Sequence, residues 1–467
     1  MHLPSFAIFR KRPVALFLSD HTIVLLRLAP NGTVVSYARA NLPQGIMQDG
    51  AVLDRKKLVY QVRELALSAA PTPISLVEDV PVMLAIPESK TFTHLFTFPK
   101  ASVATEDALK EAVKNEAMRI IPIDFARIYW DMQVITTPDE TKTTVLFAGT
   151  LKDVVQDYIA VCEECHMFPV AIDMEAIALS RSLLGSIGGS TMVVDIGSRT
   201  TTVAFYDEAK RINMSITIPI AGDAFNRAIM EHMNVTIEEA EALKRRDGFD
   251  RANTENRVLV ILQERVQAIL REIEKALSYY ESKFGKRISH IVLAGGSALI
   301  KDLDAYLQIN LGRDLSVADP LRGLDRRAER VFGPTPAVLL APAIGLALRG
   351  LAKDPSFSDI NLLHGWEGEQ WAERERIILS HWRVLAIPIF IASLLLLAYV
   401  YYDYIYLPKE RLREEATERI MLRVDPLPDG SIAPSQTATS SEVTPNIELP
   451  ATTTPDDLLE SNTVVEP

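Results

Sequence analysis

The sequence predicts a mixed α/β body, one membrane-spanning helix after it, and a disordered C-terminal tail. Three stretches carry that expectation. Residues 191–204 read TMVVDIGSRTTTVA, a β-branched strand, a tight hydroxyl-rich turn and a second strand. Residues 289–303 read SHIVLAGGSALIKDL, a buried strand running into paired glycines and a helix. Residues 384–402 read VLAIPIFIASLLLLAYVYY, nineteen in a row without a charge.

The chain has 467 residues, 48% of them hydrophobic, which is enough for at least two sizeable cores. Its 49 Lys and Arg against 61 Asp and Glu give a net charge of −12, and phosphate neutralisation needs a basic face, so nucleic acid is excluded as the main partner. Two cysteines, Cys162 and Cys165, make no disulfide framework and fit a reducing compartment. They fall at i, i+3 in a helical stretch with no second Cys/His cluster nearby, which reads as helix packing rather than metal.

Residues 1 to about 355 carry the α/β alternation. Val14–Leu28 and Gly32–Ala38 read as strands around a Pro30-Asn31-Gly32 turn, and Asp54–Ala69 as an amphipathic helix. Strands are expected at Val82–Ile86, Thr93–Phe98, Tyr129–Ile135 and Thr143–Thr150, with helices at Glu106–Arg119 and Lys152–His166 between them. A long helical stretch, Asp223–Phe284, precedes a strand at Ser289–Ala294, and a closing helix spans Ala337–Leu351. A second region, 356–383, holds a short apolar motif and a charged helix over Glu367–Arg383. The apolar span, assigned to 384–406, comes next, with Trp382 and Tyr399, Tyr401, Tyr402, Tyr404 and Tyr406 at its interfaces. The remainder, 407–467, is expected to be mostly disordered. From Asp425 it has seven prolines and no Lys or Arg, too little apolar surface to fold.

The turn after Val193-Val194 presents Asp195, Gly197, Ser198 and Thr200, whose carboxylate, hydroxyls and backbone N–H groups suit a phosphate clamp. About a hundred residues later, Gly295, Gly296 and Ser297 let backbone approach a ligand beside a helix N-terminus. This pairing resembles the actin-like ATPase superfamily, a duplicated ribonuclease H-like fold whose two halves close on ATP. The resemblance implies further roles. AIDMEAIALSR (171–181) matches the first connecting helix, placing Glu175 at the water-activating position. PIAGDAFNRAI (219–229) matches the segment containing Gly222, and IEEAEALKRR (237–246) the helix whose Glu241 and Lys244 contact the nucleoside. On spacing alone, Glu241 and Lys244 are equally an exposed i, i+3 pair. APAIGLALRG (341–350) matches the closing helix with Gly345.

The first half departs from that pattern. The superfamily's N-terminal strand ends in Asp-x-Gly. Here VALFLSDHTIVLLRL puts Phe17 where the Asp belongs and Ser19 where the Gly belongs, with Asp20 at the turn tip. A phenylalanine cannot hold hydrated Mg²⁺, on which hydrolysis relies for charge stabilisation. The expectation is a pseudo-ATPase with a degenerate first phosphate loop, with ATP (and Mg) as the candidate cofactor through the second half.

GIMQDGAVLDRKKL (45–58), VMLAIPESKTFTHLFTFPK (82–100) and EAVKNEAMRIIPIDFARIYWDMQVI (111–135) resemble PilM, the cytoplasmic actin-like protein of type IV pilus assembly. That implies a small α/β subdomain inserted in the first half, here about 80–170. Ile360, Asn361, Leu362 and Leu363 resemble the Ile-Asn-Leu-Leu motif that opens PilN, a single-span protein. In that family the motif binds a groove on the inserted subdomain of PilM. The layout thus resembles a PilM–PilN fusion, and also GspL of type II secretion. One departure is that those proteins carry a folded domain beyond the membrane, whereas here about sixty largely polar residues follow the span. The resemblance implies an inner-membrane scaffold with the globular domain cytoplasmic and the tail outside. Its implied partners are pilus inner-membrane platform proteins, the motor ATPase and PilN/PilO-like subunits, and homo-oligomers are compatible with it. The competing expectation is an ATP-hydrolysing or polymerising FtsA-like division protein, although FtsA reaches the membrane by an amphipathic helix rather than a span.

Overall fold

Apolar alternation builds β1 (Val14–Leu18), β2 (Thr22–Leu28) and β3 (Val34–Asn41), followed by a small ribbon of β4 (Met47–Gln48) and β5 (Ala51–Val52). Helix α1 (Arg55–Leu67) starts where the Asp54 carboxylate accepts the Lys57 N–H at 3.0 Å, an N-cap that satisfies one orphan donor. Next come the short β6 (Ala70–Pro71) and the fully buried β7 (Val80–Ile86). The computed structural model describes residues 12–135, 141–253, 255–325, 327–356, 359–366 and 390–421. The charged helix expected over 367–383, the span's first residues (384–389) and the tail from 422 lie outside the described residues.

Between β7 and the rest of the first half stands the insert: β8 (Thr91–Pro99), α2 (Glu106–Ile120), β9 (Ile128–Ile135) and β10 (Lys142–Leu151). Its three strands pair in the order β8-β10-β9. They cover a separate core in which Trp130 stacks on Phe147 at 5.7 Å between centroids and Val113 and Val145 are fully buried. The insert is therefore narrower than the expected 80–170, because β7 pairs with β1 in the main sheet. Helix α3 (Lys152–Glu164) then returns the chain to that sheet through β11 (Met167–Met174) and α4 (Glu175–Leu183). Residues 171–174, expected to open a helix, end a strand instead, paired in parallel with β7.

The second half repeats the plan. It comprises β12 (Thr191–Ile196), β13 (Thr201–Tyr206), β14 (Ile212–Ile218), α5 (Gly222–Met233), α6 (Ile237–Asp247), α7 (Arg257–Phe284), β15 (His290–Ala294), α8 (Leu303–Leu311) and β16 (Leu315–Val317). The expected single helical stretch is thus three helices. Asn234 at φ 52° and Gly248 at φ 39° break it, and a Thr236/Glu239 capping box restarts it. The sheets run β14-β13-β12-β15-β16 and β11-β7-β1-β2-β3-β6, so each half has an antiparallel three-strand meander whose first strand also pairs in parallel with a later one. After α9 (Ala328–Phe332), α10 (Ala341–Arg349) closes the body against α4. There Gly345 is obligatory: a Cβ on it would lie 1.8 Å from the Ala178 carbonyl oxygen.

The described part of the C-terminal unit includes a helix, Phe390–Arg419, long and apolar enough to cross a membrane and exposed along its apolar length. Helix continues to Met421, past the expected boundary at 406. Leu407–Met421 is rich in Arg, Leu and Glu with opposite charges at helical spacing, and the Tyr406 hydroxyl contacts Glu410 at 3.1 Å.

Candidate functional site

Two strand ends face each other where the halves meet, their turns joined through Arg199–Asp20 and His21–Asp223, and the space between them is the candidate cleft. Asp195 is the penultimate residue of β12, paired with Thr202 of β13, and Phe17 is the penultimate residue of β1, paired with Val24 of β2. The duplication therefore puts Phe17 at the place Asp195 holds in its own half. Phe17 packs into the apolar cluster of Ala15, Val24 and Ala343.

The second half assembles the expected residues. The Gly197 N–H donates to the Thr200 carbonyl at 3.1 Å, closing the turn. The Gly197 carbonyl accepts from the Gly222 N–H (3.1 Å) and the Ser297 hydroxyl (3.4 Å), and the Ser198 carbonyl accepts from the Asp223 N–H (2.7 Å). Gly295, at φ 82°, passes so close to the strand that a Cβ would sit 2.3 Å from Asp195 Oδ1. Gly296 and Ser297 open the 3₁₀ turn after it. A Cβ on Gly222 would lie 3.2 Å from the Gly197 carbonyl and 3.6 Å from Lys244 Nζ, so Lys244 belongs to the same cradle. Lys244 is 5% exposed and pairs with Glu241 at 2.5 Å, which removes the exposed surface pair as an account of these two residues. Glu241 also accepts from Asn226 Nδ2 (2.9 Å) and Arg245 Nε (2.7 Å). Burial opposes its charge, yet these donors hold its carboxyl down at about 2.

Asp195, Glu88 and Asp20 lie near enough to Glu175 to act on its charge. Burial pushes Asp195 up to about 6 and Glu88 up to about 7. Glu175, the first residue of α4, is driven well above the usual range by burial and then by Asp195, Glu88 and Asp20. Two contacts that local sequence reading does not reveal cross from the first hairpin to the second half. Arg199 Nε lies 2.6 Å from Asp20 Oδ2, and His21 Nε2 lies 3.6 Å from Asp223 Oδ2. Among the described residues no group of three or more His, Cys, Asp or Glu side chains could hold a metal ion by itself, and the strand-end position of the first half offers a hydrated Mg²⁺ no oxygen, because Phe17 is packed there into the apolar cluster. Cys162 and Cys165 are buried free thiols, raised far above their ordinary value by burial.

The second site is a filled groove. Ile360, Asn361, Leu362 and Leu363 are all buried, between 0% and 1% exposed. The Leu362 N–H donates to the Ile172 carbonyl (2.9 Å), and the Ile172 N–H donates to Asn361 Oδ1 (3.0 Å), so the segment adds to the β11 backbone. Asn361 uses its whole polar inventory. Its N–H donates to Asp131 Oδ2 (2.8 Å), Oδ1 also accepts the Leu363 N–H (3.1 Å), and Nδ2 donates to the Ser356 carbonyl (3.3 Å). Arg349 of α10 donates to the carbonyls of Pro355 (2.9 Å), Ile360 (2.7 Å) and Asp359 (3.1 Å). Arg181 of α4 bridges Asp359 (3.0 Å) and the fully buried Asp173 (2.6 Å). The groove is thus not on the insert alone: β9 supplies Tyr129, Asp131 and Gln133, while β11, α4 and α10 supply the rest. The signals for the missed residues were faint: a lone charge, Arg349, in an apolar helix, and a lone Asp173 in an apolar strand.

Two halves of equal topology with phosphate-type hairpins facing one cleft define an actin-like protein. Residues 18–351 match the family of type IV pilus assembly protein PilM, and the chain belongs to that family. Among solved structures, a PilM–PilN type IV pilus biogenesis complex is similar at a TM-score of 0.63 and 21% identity, covering 73% of this chain and 99% of that one. The ethanolamine utilization protein EutJ of Carboxydothermus hydrogenoformans matches at a TM-score of 0.46 and 17% identity, over 73% of this chain and 90% of that one. MreB5 of Spiroplasma citri bound to AMPPNP matches at 0.43 and 14%, over 73% and 96%.

Proposed function

We propose that this chain is a membrane-tethered docking body of type IV pilus assembly and not an ATPase. In this reading it carries its own PilN-like motif in cis and links cytoplasmic motor and platform components to subunits across the inner membrane. The observation that carries the reading is the complete burial of Ile360–Leu363 in a groove whose hydrogen bonds they satisfy. Burying three aliphatic side chains is worth roughly 1.5–3 kcal/mol each, enough for a docked state that excludes a competing peptide. Phe17 in place of the first carboxylate argues against turnover.

The test uses full-length protein in detergent and a labelled peptide of residues 355–366. Leu362→Asp with Leu363→Asp should vacate the groove and bind the peptide at least about tenfold tighter than the parent, whose groove is filled. Equal binding by both proteins overturns the cis-docking reading. Sustained Mg²⁺-dependent ATP hydrolysis by the parent overturns the non-enzymatic part.

A further inference from the structure

We propose that the cleft holds the phosphate chain of a nucleoside di- or triphosphate without a divalent cation, Arg199 supplying the positive charge and Asp20 holding Arg199 while no phosphate is present. The inference does not rest on the docked 360–363 segment.

An anion entering this cleft meets Asp195, Glu175 and Asp20, so its binding needs a compensating cation. A metal lacks its carboxylate on the first hairpin, where Phe17 is packed into the core. Arg199 sits instead in the phosphate-type turn itself, between Ser198 and Thr200, and is 40% exposed. A guanidinium presents a planar fork of donors that matches a phosphate's oxygens and never loses its charge.

The latch can open because Asp20 does not depend on Arg199. Its Oδ2 also accepts the Asp49 N–H (2.8 Å), and its Oδ1 accepts the Gly50 N–H (3.2 Å). When Arg199 swings to a phosphate, Asp20 keeps two amide donors and is not stranded. A second observation points to a ligand further into the cradle. Asn226 is 7% exposed and donates to Glu241, yet its Oδ1 has no hydrogen-bond partner among the described residues. A buried acceptor left unpaired costs about 1–3 kcal/mol, and a ribose hydroxyl or base amine donor would remove that cost.

Fluorescent-analogue titration of the full-length protein tests this with ATP, ADP, adenosine and tripolyphosphate, each in Mg²⁺ and in excess EDTA. The nucleotide Kd is expected to change by less than about threefold on adding EDTA. Arg199→Ala should weaken ATP and tripolyphosphate by about tenfold or more while leaving adenosine unchanged, and Arg199→Lys should weaken them less. Asp20→Asn, which frees Arg199, should tighten ATP a few-fold. A tenfold loss in EDTA, an Arg199→Ala protein that binds ATP as the parent does, or no nucleotide binding at all overturns the proposal. Each of these outcomes leaves the peptide competition result untouched.

Discussion

Arg349 and Asp173 form an ion pair of 3.2 Å in which both side chains are fully buried. The same guanidinium holds three carbonyls of the 355–360 segment, so the clamp that retains the segment is also the partner of a buried charge. Removing Arg349 leaves Asp173 to Arg181 alone, at 2.6 Å, and strips three carbonyls of their donor, so the loss is carried mainly by the stranded acceptors.

Arg349→Met is therefore expected to lose about 3 kcal/mol of stability and to release the segment. Denaturant midpoints and protease cleavage between Pro355 and Leu363 report the two effects. Adding Asp173→Asn should recover none of the protection, since the carbonyl donors stay absent. Full recovery of protection in the double variant refutes the clamp.

Gly345 and Gly185 make a matched pair for packing. Gly345→Ala drives a methyl into the Ala178 backbone of α4, whereas a Cβ on Gly185 meets nothing within 4 Å. The first substitution should cost at least about 3 kcal/mol or yield insoluble protein, and the second should stay within about 0.5 kcal/mol of the parent. Equal midpoints for the two variants rule out the close α4–α10 contact.

Local pattern was enough for the cleft and too little for the groove. The strands around Asp195 and Ala294 stand out because β-branched alternation ends in glycines, and the expected cleft residues from Asp195 to Ser297 converge there. Residues 167–174 escaped because MFPVAIDM runs into EAIALS with no turn residue between strand and helix. Apolar periodicity alone does not separate a buried strand from a buried helix. The Asp20–Arg199 and Asp173–Arg349 pairs join residues more than a hundred positions apart, and charge partners at that distance leave no trace in local spacing.

Glu88 sits where the two halves meet, accepting from the Ser215 hydroxyl at 2.6 Å and the Ala176 N–H at 3.4 Å. Burial raises its carboxyl from 4.5 to about 7. The folded state therefore holds a proton that the unfolded chain releases near 4.5. The stability this gives is complete below about 4.5 and is lost as pH rises through about 7. The swing is of order 3 kcal/mol. Glu88→Gln keeps an acceptor and cannot ionise, so its denaturation midpoint should move less between pH 4.5 and 7 than the parent's, the remaining movement coming from Asp195 and Glu175. Identical pH profiles exclude Glu88 as the source.

The helix from Phe390 leaves Leu394, Leu395, Leu396 and Leu397 between 52% and 67% exposed, an apolar surface that water would not tolerate on a free helix. A bilayer removes that cost, and Tyr399, Tyr401, Tyr402, Tyr404 and Tyr406 then fall toward one interface, where amphipathic rings are favoured. The full chain should stay in the membrane pellet through alkaline carbonate extraction. Leu395→Arg with Leu396→Arg places two charges mid-span at about 2.5–3.5 kcal/mol each on insertion scales and should release most of the protein to the supernatant. Release of the parent chain under the same treatment dismisses the helix as an anchor. Pelleting of the variant as firmly as the parent points to a hold elsewhere in the chain.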